Sequence, residues 1–137
     1  MKFDNTLLTN FLDEYCIRYE VEKDNCISFE YDGRYLIGYI YDPDLDGEHK
    51  DGFVSGIVLM MPGIREVAPN EGKKYLKLIN QLNNTIPIVK FVLDNNSSLI
   101  HILVATPLDS SPEMDDLIPG LIRVLVNAHN VFMETDK

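Results

Sequence analysis

The sequence is short of cysteine, basic residues, histidine and long apolar runs, and each shortage removes a class of function. Its two cysteines, Cys16 and Cys26, stand ten residues apart. That spacing matches neither a redox pair nor a zinc site, so both read as reduced residues in the core or at its boundary. Lys and Arg number 12 against 22 Asp and Glu, a net charge of −10. Phosphate binding needs basic residues gathered on one face, and only Lys73, Lys74 and Lys77 come close. Nucleic acid is therefore not an expected partner. The longest apolar runs, 54–61 and 99–105, fall far short of the roughly 20 residues that span a bilayer, so no membrane role is expected. Asp4, Asp13 and Glu14 interrupt the stretch where a secretion signal would be apolar, and the cytoplasm is the expected location.

What is present describes a folded domain. Apolar residues make up 45% of the 137, with no low-complexity tract, which fits one α+β domain. Leu7, Leu8, Phe11, Leu12, Tyr15, Cys16 and Tyr19 recur at spacings of three and four, predicting a helix capped by Asn5 or Thr6. From residue 26 the period changes to two. Ile27, Phe29 and Tyr31 form one strand, and Asp32-Gly33 supplies a two-residue hairpin turn into a second over 34–41. A third strand is expected over 53–61, closed by Pro62-Gly63. A second helix follows, capped by Asn70, with Tyr75, Leu76, Ile79 and Leu82 on its apolar side. Strands over 88–94 and 99–106 flank the tight link NNSS, and a last helix starts near Asp115, so that Pro119 falls in its first turn. The expected order is α-β-β-β-α-β-β-α, with a five-stranded antiparallel sheet and flanking helices.

Several stretches invite a chemical reading. DPDLDGEHKDGF opens like a calcium loop, with Asp42, Asp44, Asp46, Gly47 and then Glu48. The twelfth position, where the template has a bidentate Glu, is Phe53, and the flanks are strands rather than helices. A solvated connection is the preferred reading. His49, His101 and His129 share no ligand or triad spacing, and no Ser or Cys sits at a nucleophile elbow. Glu113, Asp115 and Asp116 suit a helix N-terminus through its dipole. Gly56, Gly63 and Gly72 are too scattered for a phosphate loop. No cofactor, metal or catalytic residue is expected.

From residue 75 to 132 the order of motifs is more specific. The asparagines of LINQLN, Asn80 and Asn83, lead directly into IVKFVLDNNSSLIHILVATPL. This resembles the YbjN-like family, whose members are labelled bacterial sensory transduction regulators and share their fold with type III secretion chaperones. The Asp-Gly hairpin is also similar. The turn at 94–98 lacks the family's glycine, and the 42–52 loop is unusually acidic. The resemblance implies an α+β fold, frequent dimerisation and no established catalytic residues.

The strands themselves carry the clearest functional hint. Around the Asp-Gly turn, one face collects Ile27, Phe29, Tyr31, Leu36 and Ile40, and the other collects Tyr35, Ile37, Tyr39 and Tyr41. The third strand is also apolar on both sides, with Val58 and Met60 opposing Ile57, Leu59 and Met61. A half-exposed antiparallel sheet is normally polar on its wet side. Either helices cover both faces, or one face is an interface. The second alternative makes the chain a non-enzymatic protein-binding module, chaperone-like or regulatory, acting as a homodimer. Tyr35, Ile37, Tyr39 and Tyr41, with Tyr75 and Ile79 on the second helix, are its expected contacts. A calcium-responsive domain using the 42–51 loop ranks next, and a small-molecule enzyme last.

Overall fold

A computed structural model describes residues 3–42, 55–108 and 112–137. The first helix, α1, spans Thr6–Glu14 and ends earlier than its apolar spacing predicts. Cys16 takes a left-handed φ of 56°. The Ile17 N–H then reaches back to the Leu12 carbonyl at 2.8 Å and the Cys16 N–H to Asp13 at 3.2 Å. Those two bonds form a Schellman closure, which redirects the chain without the usual glycine. Tyr19 consequently lies in a strand. Asn5 takes the N-cap position of α1 as predicted, but it is the Asp4 carboxylate that accepts the Thr6 N–H, at 2.9 Å. Asn5 instead ties a strand and a turn to the helix, accepting the Ile40 N–H at 2.7 Å and donating to the Asn25 carbonyl at 2.6 Å.

The strands are β1 (Tyr19–Val21), β2 (Ile27–Tyr31), β3 (Arg34–Tyr41), β4 (Gly56–Glu66), β5 (Val89–Asp94) and β6 (Leu99–Pro107). They form one antiparallel sheet in the order β1-β2-β3-β4-β6-β5, so the described residues hold six strands where the periodicity predicted five. The Asp32-Gly33 turn has φ values of 54° and 78°, and the pairings Tyr31–Arg34, Phe29–Leu36 and Ile27–Gly38 follow as predicted. Pro62-Gly63 does not end β4. It forms a bulge between Met61 and Arg65, after which pairing with β6 resumes. The predicted strand positions Phe53 and Val54 lie outside the described residues.

A 3₁₀ turn, Pro69–Glu71, leads into α2 (Gly72–Thr85), so Asn70 sits inside that turn rather than capping the helix. The last helix, α3, spans Met114–Thr135. The helix starts one residue before the expected Asp115, so Pro119 falls just beyond the first turn, where its missing N–H removes the bond to the Asp115 carbonyl.

All three helices stack on one face of the sheet. Leu8 and Leu12 from α1, Tyr75, Ile79 and Leu82 from α2, and Ile118, Leu125 and Phe132 from α3 share a single core with Phe29, Leu36, Leu59, Ile100 and Ile102. Gly38 marks the tightest approach: an added Cβ would meet Leu59 Cδ2 at 2.6 Å and Leu8 Cδ2 at 3.1 Å. Helix α2 also seals one sheet edge. The Asn83 amide accepts the Phe91 N–H at 2.7 Å and donates to the Phe91 carbonyl at 3.0 Å. It thereby replaces the pairing that a further strand would supply on the outer side of β5.

Candidate functional site

With the helices on one side, the pleat places every second strand residue on the other. The strand registers align that opposite face in rows. One row runs Glu20, Ser28, Ile37, Met60, Leu103 and Lys90 across all six strands. Beside it lie Tyr39, Val58 and Ala105 in one direction, and Glu30 with Tyr35 in the other. Ile37, Tyr41, Val58, Met60 and Leu103 are half-buried, while Tyr35 and Tyr39 are 53% and 38% exposed. No described helix packs over them. The face has an apolar centre, two accessible phenols and a strip of carboxylates, Glu20, Glu22 and Glu30, along β1 and β2.

The details fit a surface organised by packing. Ser28 is buried because its hydroxyl donates to Glu22 Oε1 at 2.6 Å, which folds that carboxylate down onto the sheet. Burial, with a smaller contribution from Cys26, pushes the Tyr39 phenol above its usual range. The hydroxyl therefore stays protonated at neutral pH and can donate a hydrogen bond. At the β1 end an open trough of about 770 Å³ is lined by Asp13, Arg18, Glu20, Glu22, Glu30 and Tyr35, among others.

The structure brings together four of the residues predicted for an interface, Tyr35, Ile37, Tyr39 and Tyr41, all on the helix-free face. It separates the other two. Tyr75 is 0% exposed and Ile79 5%, so both belong to the core beneath α2. The helical periodicity identified them correctly as apolar-side residues, but that side meets the sheet. The Tyr75 hydroxyl is fully used, accepting from Arg65 Nε at 2.9 Å and donating to Asp136 Oδ1 at 2.8 Å. Leu103, Glu20 and Lys90 were not singled out from sequence. The alternation of His101, Leu103 and Ala105 along β6 is the signal that marks Leu103.

Asp42, His101 and His129 have structural tasks. Asp42 is 2% exposed, and its Oδ2 accepts the Phe3 N–H at 2.6 Å, which ties the N-terminal segment to the end of β3. Asp44, Asp46, Glu48 and His49 lie outside the described residues. Among the described residues, no group of three or more His, Cys, Asp or Glu is placed to hold a metal ion. His101 Nδ1 accepts the Gly63 N–H at 2.9 Å and so pins the β4 bulge, with Nε2 3.9 Å from Asp94. His129 Nδ1 lies 3.1 Å from Arg34 Nη1. No described helix is long and apolar enough to cross a membrane.

No family model matches the sequence, and no curated protein is detectably similar to it. Solved structures are more informative. The chain is similar to YbjN, a candidate transcription regulator from E. coli, with a TM-score of 0.63 at 13% identity over 96% of this chain and 90% of that one. The chain has a YbjN-like fold. An uncharacterized protein from Methanothermobacter thermautotrophicus is also similar, with a TM-score of 0.51 at 15% identity over 96% and 97% of the two chains. At these identities the likeness concerns the fold alone.

Proposed function

We propose that this YbjN-like protein is a non-enzymatic, regulatory binding module that acts as a homodimer through the helix-free face of its sheet. The observation that supports this reading is the row Ile37, Met60 and Leu103, apolar and half-buried with no described helix above it, flanked by Tyr35 and Tyr39. Tyrosines serve such contacts well, because they bury a large ring while keeping a polar tip. The similarity to a candidate transcription regulator is consistent with a regulatory role and supplies no residue for it. Glu20, Glu22 and Glu30 give the rim of the face a negative field, which favours basic surfaces on approach and sets orientation more than affinity.

Light scattering tests the proposal. At micromolar concentration the wild type is expected at twice the 15.7 kDa chain mass. Tyr39→Ala is expected to weaken association by about tenfold, as loss of an interface tyrosine costs on the order of 1–2 kcal/mol. A wild type that stays monomeric, with Tyr39→Ala indistinguishable from it, overturns the reading.

A further inference from the structure

The row across the sheet carries an orientation as well as a surface. Its order, Glu20, Ser28, Ile37, Met60, Leu103, Lys90, begins with a carboxylate on one edge strand and ends with an ammonium on the other. Both charged ends are exposed. The midpoint falls between Ile37 on β3 and Met60 on β4.

From this row we infer that two copies pack face to face about a two-fold axis lying parallel to the strands between β3 and β4. This rests on the homodimer reading above and specifies its geometry. When two identical sheets pack face to face with aligned strands, the two-fold axis runs either along the strands or across them. An axis perpendicular to the strands lays each strand end over its own copy, with Glu20 against Glu20 and Lys90 against Lys90. An axis parallel to the strands exchanges the two edges. Glu20 then faces the second copy's Lys90, Ile37 faces its Met60 and Ser28 faces its Leu103, and each contact occurs twice.

Charge decides between the two. The carboxylates Glu20, Glu22 and Glu30 gather on the β1–β2 side of the face and outnumber the cations near them, Arg18 just before β1 and Lys23 just after it. On the β5 side Lys90 ends the row, while Asp94 and Glu66 share a row with Leu99 four residues further along the strands, toward the β4 bulge. Superposing the acidic sides adds like charges, whereas exchanging the edges brings Lys90 to an acidic strip. Reach is adequate. Packed sheets lie about 10 Å apart, which a Glu and a Lys side chain span between them. Size is adequate too. The six strands, from 3 residues in β1 to 11 in β4 and about 4.8 Å apart, give a face of roughly 650 Å², approaching the ~800 Å² each partner contributes to a standard interface. Sheet twist rotates the two layers by about 30° and leaves the central Ile37–Met60 contacts in place.

A charge exchange tests the orientation. Dimer dissociation constants are measured by sedimentation at low salt for wild type, Glu20→Lys, Lys90→Glu and the double variant, with circular dichroism as the check on folding. Each single variant is expected to weaken the dimer by about tenfold, because a like-charge pair appears twice in the interface. The double variant is expected to return to within about threefold of wild type, and added salt to narrow all the differences. A dimer that ignores both single changes, or that the double change fails to restore, overturns this orientation and leaves the homodimer reading standing. A monomeric wild type overturns both.

Discussion

At the residue scale, Asn83 shows how one side chain closes an otherwise exposed edge. Its amide carries a donor and an acceptor at the spacing of a peptide group, so it pairs with both the N–H and the carbonyl of Phe91. Removing it leaves two part-buried backbone groups without protein partners, each costing on the order of 1 kcal/mol. Asn83→Ala is therefore expected to lower stability by about 1–3 kcal/mol, read as a lower urea midpoint at unchanged slope. The same variant is expected to aggregate faster during refolding, because β5 regains a free edge. An unchanged midpoint would mean that water replaces the amide at no cost. The motif LINQLN drew notice in the sequence, but Asn83's partner did not. A polar residue on a predicted helix carries no mark of which strand edge it will meet.

At the element scale, α3 and the β2–β3 hairpin are joined through His129 and Arg34. Burial, and after it the Arg34 guanidinium, hold the His129 imidazole below its ordinary value of 6.5. The folded state thus favours the neutral ring, which accepts the Arg34 hydrogen bond. The unfolded chain binds a proton more readily, so stability from this group is complete above the ordinary value. It is lost as pH falls through that value toward the lower folded-state one. A lower urea midpoint is expected at about pH 5.5 than at about pH 7.5, and His129→Gln should shrink the difference. Equal slopes in wild type and variant would remove His129 from the account. Asp4 and Asp94 are also held low, by hydrogen bonds from Thr6 and Asn96 respectively, and they act only under more acid conditions.

Elements were legible from sequence where one local rule decided them. The Asp-Gly turn fixed the register of β2 against β3, and period-two alternation sorted Tyr35, Ile37 and Tyr39 from Leu36 and Ile40. The strand β1 was hidden, because α1 closes on Cys16 with a left-handed backbone and no glycine to signal it. Tyr75 was misplaced for a different reason. Helical periodicity shows that a residue faces something apolar, not whether that surface belongs to its own sheet or to a partner. Its complete burial and its hydroxyl bond to Asp136, 61 residues away, settle the matter.

At the scale of the whole molecule, the decisive property is that three helices cover one face of a six-stranded sheet while the other keeps an apolar centre. Amphipathic helices and two-faced apolar strands were both evident in the sequence, but it did not say that all three helices choose the same side. That choice depends on connections across the sheet, such as the return of β6 between β4 and β5. A contiguous apolar face of this kind is what protein contacts use and what isolated monomers avoid. The most direct measurement is a sedimentation concentration series on wild type and Ile37→Asp, which places a charge at the centre of the face. The account predicts that the wild type shifts with concentration from 15.7 kDa to twice that mass, while Ile37→Asp remains at 15.7 kDa with an unchanged circular dichroism spectrum. Identical profiles for the two proteins, whether monomeric or dimeric, would contradict it.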